Sequence, residues 1–177
     1  NDAPINTVPG AQSVAEDTPL VFSSGNGNQI SVSDVDAASG LAQVSLSIAN
    51  GTLTLAGTGG LTFTTGDGTA DTSMVFTGTL ADVNAALNGL SYTPTANFNG
   101  AALLTLTTND QGNTGSGGAK NDSDSVSINV TAVNDAPVNA VPGAQSVAED
   151  TSLVFSSGNG NQISVSDVDA ASGLAQI

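Results

Sequence analysis

Cysteine and histidine are absent from this 177-residue chain, and its one basic side chain, Lys120, accompanies sixteen carboxylates. Without cysteine there is no disulfide framework, and without either residue there is no thiolate or imidazole metal site. The net charge of -15 at pH 7 repels nucleic acids and anionic membranes and attracts divalent cations. We therefore expect no nucleic-acid partner.

Tryptophan is also absent, and tyrosine occurs once. Acid-base catalysis would depend on a carboxylate pair alone, as in glycosidases, and such a pair needs a deep cleft. The composition therefore predicts that the chain is not an enzyme. No apolar run approaches the roughly 18 residues of a membrane span, so we expect no membrane insertion in this region.

Part of the sequence occurs twice. Residues 1–44 and 134–177 pair over 44 positions, and they differ only at Ile5/Val138, Thr7/Ala140, Pro19/Ser152 and Val44/Ile177. A repeated sequence at fixed spacing makes the repeat the unit of folding. We expect one complete repeat over residues 1–133 and the first third of the next over residues 134–177, within a longer array.

Apolar residues alternate with Ser, Thr and Asn in "QISVSDVD", "LAQVSLSIANGTLTLAG", "ALLTLTTND" and "DSVSINVTAV". This period of two is typical of strands with one buried face. Roughly seven to nine short strands with frequent turn signals favour an all-β, immunoglobulin-like β-sandwich.

Two local signals interrupt the strand pattern. Asn50-Gly51 lies between apolar alternating segments and predicts a type I′ hairpin turn. "GTLADVNAALNG" predicts one short helix per repeat, with Thr79 and Asp82 as a capping box and Gly89 as the C-terminal stop.

The acidic residues are predicted to gather at the two poles of the sandwich. Strand directions place Asp2, Asp34, Asp36 and Asp110 at one pole and Glu16 with Asp17 at the other. In an end-to-end array, Glu16 and Asp17 would then face the linker and near-pole loop of the next repeat. Five carboxylates would converge at that junction: Glu16, Asp17, Asp135, Asp167 and Asp169.

Such a cluster would repel itself unless a cation compensated it. Calcium fits because it takes six to eight oxygen ligands in flexible geometry and needs neither histidine nor cysteine. The alternative is that these are ordinary solvated turn acids, since Asp and Asn favour turns. We prefer the turn interpretation for Asp67, Asp71, Asp122 and Asp124, and calcium for the acids at the poles.

The phrases "VNDAPV", "AED", "SDVD", "LSYTPTANFNG" and "TTND", in that order, resemble the cadherin-like tandem repeats of very large secreted bacterial adhesins. The resemblance covers nearly the whole repeat and implies calcium between successive domains. It implies the strand-end ligand at Glu16, the linker ligands at Asn134 and Asp135, the Asp-x-Asp pair at Asp167 and Asp169, and a further ligand at Asp110. The sequence departs from the family in lacking a clear Asp-Arg-Glu phrase and in its long repeat.

Two functions follow from this resemblance. The first is a calcium-stiffened extracellular or cell-surface spacer in a large adhesin or fibre, whose partners are adjacent repeats of the same chain. The second is a binding module whose repeat face contacts glycans or associates with itself in cell-cell or biofilm adhesion. Near-identity of the copies favours the spacer, because length is then the useful property.

Overall fold

A computed structural model of the chain describes residues 1–37, 39–112 and 114–170. The chain divides into two compact units, Asn1–Ala132 and Val133–Ile177. The end of the second sequence copy, residues 171–177, lies outside the described residues.

The first unit is mostly β-structure with one short α-helix among the described residues. Its strands are β1 (Ile5–Thr7), β2 (Gln12–Ala15), β3 (Leu20–Phe22), β4 (Ser31–Ser33), β5 (Leu41–Ser47), β6 (Gly51–Thr54), β7 (Thr62–Thr65), β8 (Ser73–Thr79), β9 (Leu90–Pro94), β10 (Gly100–Asn109) and β11 (Asn121–Thr131), and its helix is α1 (Leu80–Leu87).

The strands form three sheets. One has six strands in the order β2-β11-β10-β5-β8-β7, one has three in the order β3-β9-β6, and β1 pairs with β4. Neighbouring strands are antiparallel except for β2 and β11, which run parallel. The two larger sheets contribute side chains to one buried core, which includes Leu46 and Leu106 from the first and Phe22 and Tyr92 from the second. The predicted β-rich fold is confirmed, and the arrangement is compatible with a β-sandwich.

Period-two alternation explains the long strands. In β5 the side chains of Ala42, Val44 and Leu46 are buried, while the intervening polar side chains are more exposed. Pro9-Gly10 separates β1 from β2, and a turn separates β3 from β4. In that turn, Ser23 N–H donates to Asn28 Oδ1 at 3.0 Å.

The predicted helix is present, but only one of the two hydrogen bonds of the predicted capping box is formed. Asp82 N–H donates to Thr79 Oγ1 at 3.2 Å, and the Thr79 hydroxyl donates to Asp82 Oδ2 at 2.7 Å. The Asp82 carboxylate therefore contacts the hydroxyl of Thr79. In a capping box it would accept from the backbone N–H of Thr79. Val83, Ala86 and Leu87 are buried against the core.

The predicted hairpin at Asn50-Gly51 is wrong. β5 lies between β10 and β8 in the six-stranded sheet, whereas β6 pairs with β9 in the three-stranded sheet. Asn50 has a positive φ of 59°, but Gly51 does not have the positive φ that a type I′ turn also needs. Asn50 O accepts hydrogen bonds from Thr95 N–H at 3.0 Å and from the Tyr92 hydroxyl at 2.9 Å. These long-range bonds fix a crossing between sheets where local propensity favours a hairpin.

β11 defines two poles of the first unit. At one end of β11, Asn121 lies opposite Asn109, and Asp110 follows directly; we call this the Asp110 pole. At the other end Thr131 lies opposite Ala15, and Glu16 follows; we call this the Glu16 pole. Eleven residues at 3.4 Å per residue separate the poles by about 35 Å.

The second unit contains β12 (Val138–Ala140), β13 (Ser164–Ser166) and a 3-10 turn at Ser157–Asn159 among its described residues. β12 and β13 pair with Val138 opposite Ser166, the same register in which Ile5 of β1 lies opposite Ser33 of β4. Burial differs, however: the side chain of Phe155 is 46% exposed, whereas its counterpart Phe22 is 0% exposed. The paired strands therefore form in both copies, but the described apolar residues near them are more exposed in the second unit, as Val165 (38%) and its counterpart Val32 (3%) also show.

Candidate metal centre

The Asp110 pole brings together three segments that are far apart in the sequence. Asp2 N–H donates to Asp36 Oδ2 at 2.8 Å, and Asn1 Nδ2 donates to Asp110 Oδ2 at 2.6 Å. We call Asn1, Asp34, Asp36 and Asp110 the Asp110 cluster. The predicted proximity of Asp2 to Asp36, and the placement of Asp110 at the same pole, are both present in the structure.

Asp110 is the most enclosed carboxylate of the cluster, with 1% of its surface exposed. Its Oδ1 accepts from Gly112 N–H and from Lys120 N–H, both at 2.8 Å. Burial alone would raise the pKa of Asp110, but the N–H of Lys120, the Asn1 amide, the N–H of Gly112 and the Lys120 charge together hold that pKa below its ordinary value. Asp110 is therefore a carboxylate kept ionised inside the fold.

Asp34 and Asp36 form a second, closely coupled carboxylate pair. Asp36 N–H donates to Asp34 Oδ1 at 3.0 Å. Burial raises the pKa of Asp34, and the Asp36 and Asp110 carboxylates add to that rise. The Asp2 N–H, followed by the Asp34 side chain, lowers the pKa of Asp36. The pair therefore carries crowded negative charge that a nearby cation would relieve.

Asn1 contributes an acceptor that the protein leaves unused. Its side chain is only 2% exposed, and its Nδ2 donates to Asp110 Oδ2 and to Gly118 O. Its Oδ1, by contrast, is buried and has no hydrogen-bond donor. A buried carbonyl oxygen without a partner is unfavourable by about 1–3 kcal/mol, so this atom is a candidate ligand for a cation.

Lys120 lies at the edge of the same cluster. Its ammonium Nζ donates to the main-chain oxygen of Asn1, and its backbone N–H donates to Asp110. Lys120 is the only lysine or arginine in the sequence. Its position in the cluster was not anticipated from the sequence, where its rarity was the only available signal.

The Glu16 pole holds a smaller acidic group. Glu16 is 3% exposed and accepts from Asn99 Nδ2 at 3.4 Å, while Asp17 Oδ1 accepts from Asn97 N–H at 2.9 Å. Glu16 also joins β11 through its N–H, which donates to Thr131 O at 2.9 Å. The sequence placed both acids at this pole but did not identify the two asparagines of "ANFNG" as their partners.

The second unit repeats the local geometry of the first. Asp135 N–H donates to Asp169 Oδ2, as Asp2 N–H does to Asp36, and Asp169 N–H donates to Asp167 Oδ1 at 3.0 Å. Asn134 Nδ2 donates to Asp135 O at 2.8 Å. The predicted convergence of Glu16 and Asp17 with Asp135, Asp167 and Asp169 joins the two units and remains a prediction.

Other acids are occupied by local structure. Asp71 Oδ2 accepts from Asp67 N–H at 3.0 Å and from Gly68 N–H at 2.8 Å, as expected for a turn acid. Asp122 does not lie in a solvated loop as expected, because it belongs to β11 and accepts from Asn6 N–H at 2.7 Å. Asp124 also lies in β11 and not in a turn.

No group of three or more acidic side chains within the described part of the chain is arranged to hold a metal ion by itself. The carboxylates at the Asp110 pole accept from backbone N–H groups, so part of their hydrogen-bonding capacity is already used. The donor set nevertheless suits calcium, since it combines carboxylates with an unpartnered amide carbonyl and contains no nitrogen or sulfur ligand.

No protein-family model matches the chain. A search of curated proteins likewise finds no significant match. Among the residues that the structure describes, none of the helices has the length and apolar character needed to cross a membrane.

Proposed function

We propose that the chain is a non-catalytic, calcium-binding repeat module that acts as an extracellular structural spacer in a large surface adhesin or fibre. The proposal includes an immunoglobulin-like, cadherin-like sandwich for each repeat. The observation that carries it is the buried, unpartnered Oδ1 of Asn1, a residue whose amide contacts Asp110 and whose amino group lies 3.6 Å from Asp36.

The Asp110 cluster would hold the ion through carboxylate oxygens and the Asn1 amide oxygen. Three carboxylates and one amide offer enough oxygen atoms for much of a six- to eight-coordinate shell, which water would complete. Magnesium fits less well because it demands near-ideal octahedral geometry and keeps several waters. When bound, calcium would add positive charge beside the Asp34 and Asp36 pair, of which only Asp36 has an ion-pair partner among the described residues, the amino terminus of Asn1.

The spacer part of the proposal extends the same chemistry to the start of the second copy. Asn134, Asp167 and Asp169 correspond to Asn1, Asp34 and Asp36, and the four substitutions between the copies spare all of them. A calcium ion that also took ligands from Glu16, Asp17 and Asp135 would restrict the motion of one repeat relative to the next. This junction rests on the sequence and on the resemblance to cadherin-like repeats.

Calcium binding can be tested on metal-free chain by titration calorimetry, with magnesium titrated in parallel. We expect a saturable heat with calcium and a weaker response with magnesium. Asp34→Asn should weaken calcium binding, because it removes a carboxylate from the cluster. Asp67→Asn is the matched control, since Asp67 is exposed and accepts a single backbone hydrogen bond, from Thr69.

Thermal unfolding gives an independent readout of the same proposal. A ligand present at about a hundred times its dissociation constant stabilises the folded state by about 2.7 kcal/mol. The Tm in calcium should therefore exceed the Tm in chelator by several degrees. Equal Tm values together with an absence of binding heat would overturn the proposal.

A further inference from the structure

Lys120 places its ammonium group on Asn1, the residue whose side-chain oxygen is a proposed calcium ligand. Its Nζ donates to the main-chain oxygen of Asn1, the residue whose amide contacts Asp110. Its backbone N–H is held by Asp110 Oδ1 at 2.8 Å, so the start of the side chain is fixed while the four-carbon stem remains flexible. The side chain can therefore leave the cluster without any change in β11.

The charge balance of the chain makes this position unusual. One cation serves sixteen carboxylates, and it lies against the cluster in which Asp34, Asp36 and Asp110 are gathered. The amino terminus at Asn1 adds a second positive charge, 3.6 Å from Asp36 Oδ2, and two positive charges still offset only part of the three negative charges. The Lys120 ammonium group therefore stabilises the assembled cluster without neutralising it. The remaining negative charge would still attract a divalent cation.

We propose that Lys120 is a built-in counter-ion that holds the Asp110 cluster together without metal and is displaced from the Asn1 carbonyl when calcium binds. This inference rests on the proposed function, because it assumes that calcium occupies the cluster. Calcium would take the amide Oδ1 of Asn1, whereas the ammonium group holds the main-chain oxygen of the same residue, so the two cations would lie close together and repel each other. Only the ammonium group is on a flexible stem. Displacement would lower calcium affinity and would free a side chain on binding.

Because Lys120 is the only lysine, amine chemistry reports on it without interference from other side chains. Reductive methylation of the wild-type chain, in calcium and in chelator, can be followed by mass spectrometry of the peptide that contains Lys120. A free lysine peptide added to each reaction corrects for effects of calcium on the reagent. We expect the corrected methylation rate of Lys120 to rise several-fold in calcium.

Substitution provides a second arm of the test. Lys120→Met removes the charge and keeps much of the stem, and it should tighten calcium binding by roughly tenfold, the scale of one unit charge at a partly buried site. Lys120→Arg keeps the charge and should change affinity by less than about threefold on the same reasoning. Circular dichroism would verify that both variants fold.

The outcomes separate this inference from the proposed function. Calcium binding with an unchanged or slower methylation of Lys120 would overturn the displacement and leave the calcium proposal intact. Equal affinities of wild type and Lys120→Met would do the same. An absence of calcium binding in the wild type would overturn both.

Discussion

At the scale of single residues, Asp110 connects Asn1 to the loop between β10 and β11. It accepts hydrogen bonds from Asn1 near the start of the chain, from Gly112 in the adjacent loop and from Lys120 just before β11. A buried carboxylate with three donors is more favourable than the same group alone, since hydrogen bonds to charged groups contribute about 1.5–3 kcal/mol each. One side chain thus orders a pole built from distant segments.

Replacement of this carboxylate should be costly. Asp110→Asn preserves the size of the side chain but turns one acceptor oxygen into an amide that faces a donor. We expect the free energy of unfolding, measured in urea, to fall by about 2 kcal/mol. Asp67→Asn, at an exposed turn acid, should change it by less than about 0.5 kcal/mol. Similar losses for both variants would contradict the structural role of Asp110.

The pH dependence of the stability of Asp110→Asn tests whether the charge of Asp110 stabilises the fold. The folded-state pKa of Asp110 lies below its unfolded value of about 3.9, so the carboxylate stabilises the fold above that pH, and this stability is lost as pH falls through the folded-state pKa. Asp34 has the opposite effect, because its raised pKa makes the folded state bind its proton more tightly. The stability difference between wild type and Asp110→Asn should therefore shrink as pH falls from about 6 to about 2. If the stability difference stayed constant over that range, the stability lost in Asp110→Asn would come from packing and not from the charge.

Sequence reasoning at this scale succeeded where strand direction decides position. It placed Asp34 and Asp36 beside Asp2 because a returning strand must end where the previous strand began. It could not place the Lys120 ammonium on the Asn1 carbonyl, since that contact spans 119 residues and depends on a side-chain conformation. The orphaned Asn1 oxygen was equally hidden, because burial of one amide atom has no sequence signature.

At the scale of elements, Gly51 marks the crossing between the two large sheets. An added Cβ at Gly51 would lie 2.4 Å from Thr93 O and 2.4 Å from Tyr92 Cε2. Gly51 is required there for close approach of β6 to β9, and not for a positive φ.

We therefore expect Gly51→Ala to destabilise the first unit by about 1–3 kcal/mol, the usual range for overpacking a core. Gly57→Ala is the matched control, because no atom lies within 4 Å of its added Cβ. Urea unfolding of both variants provides the comparison. A neutral Gly51→Ala would contradict the close approach of β6 to β9 at this position.

The contrast between α1 and the hairpin shows which elements a sequence can specify. α1 carries its own cap in Thr79 and Asp82 and its own buried face, so local residues are sufficient to predict it. Asn50-Gly51 has equally strong local propensity, yet its outcome depends on Tyr92 and Thr95, about forty residues away. Alternation predicts that a segment is a strand, but it does not specify the sheet that the strand joins.

At the scale of the whole molecule, the proposed junction makes a prediction about extension in solution. In calcium, Asp135→Ala and Asp169→Ala should each reduce the maximum dimension measured by small-angle scattering, since each removes a proposed bridging ligand. Asp67→Ala is the control; Asp122 is unsuitable because it holds β1 through Asn6 N–H. Identical scattering from all three variants would remove Asp135 and Asp169 from the proposed junction.

The parallel pairing of β2 with β11 has a mechanical consequence for the first unit. β2 follows the start of the chain and β11 carries the chain out at the Glu16 pole, and their register matches Gln12 with Ile128 and Ala15 with Thr131. Tension applied through the two ends of the unit would draw these parallel strands in opposite directions along their common axis. The load would fall on their ladder in shear, so its hydrogen bonds would share the force and would have to rupture together rather than open one after another.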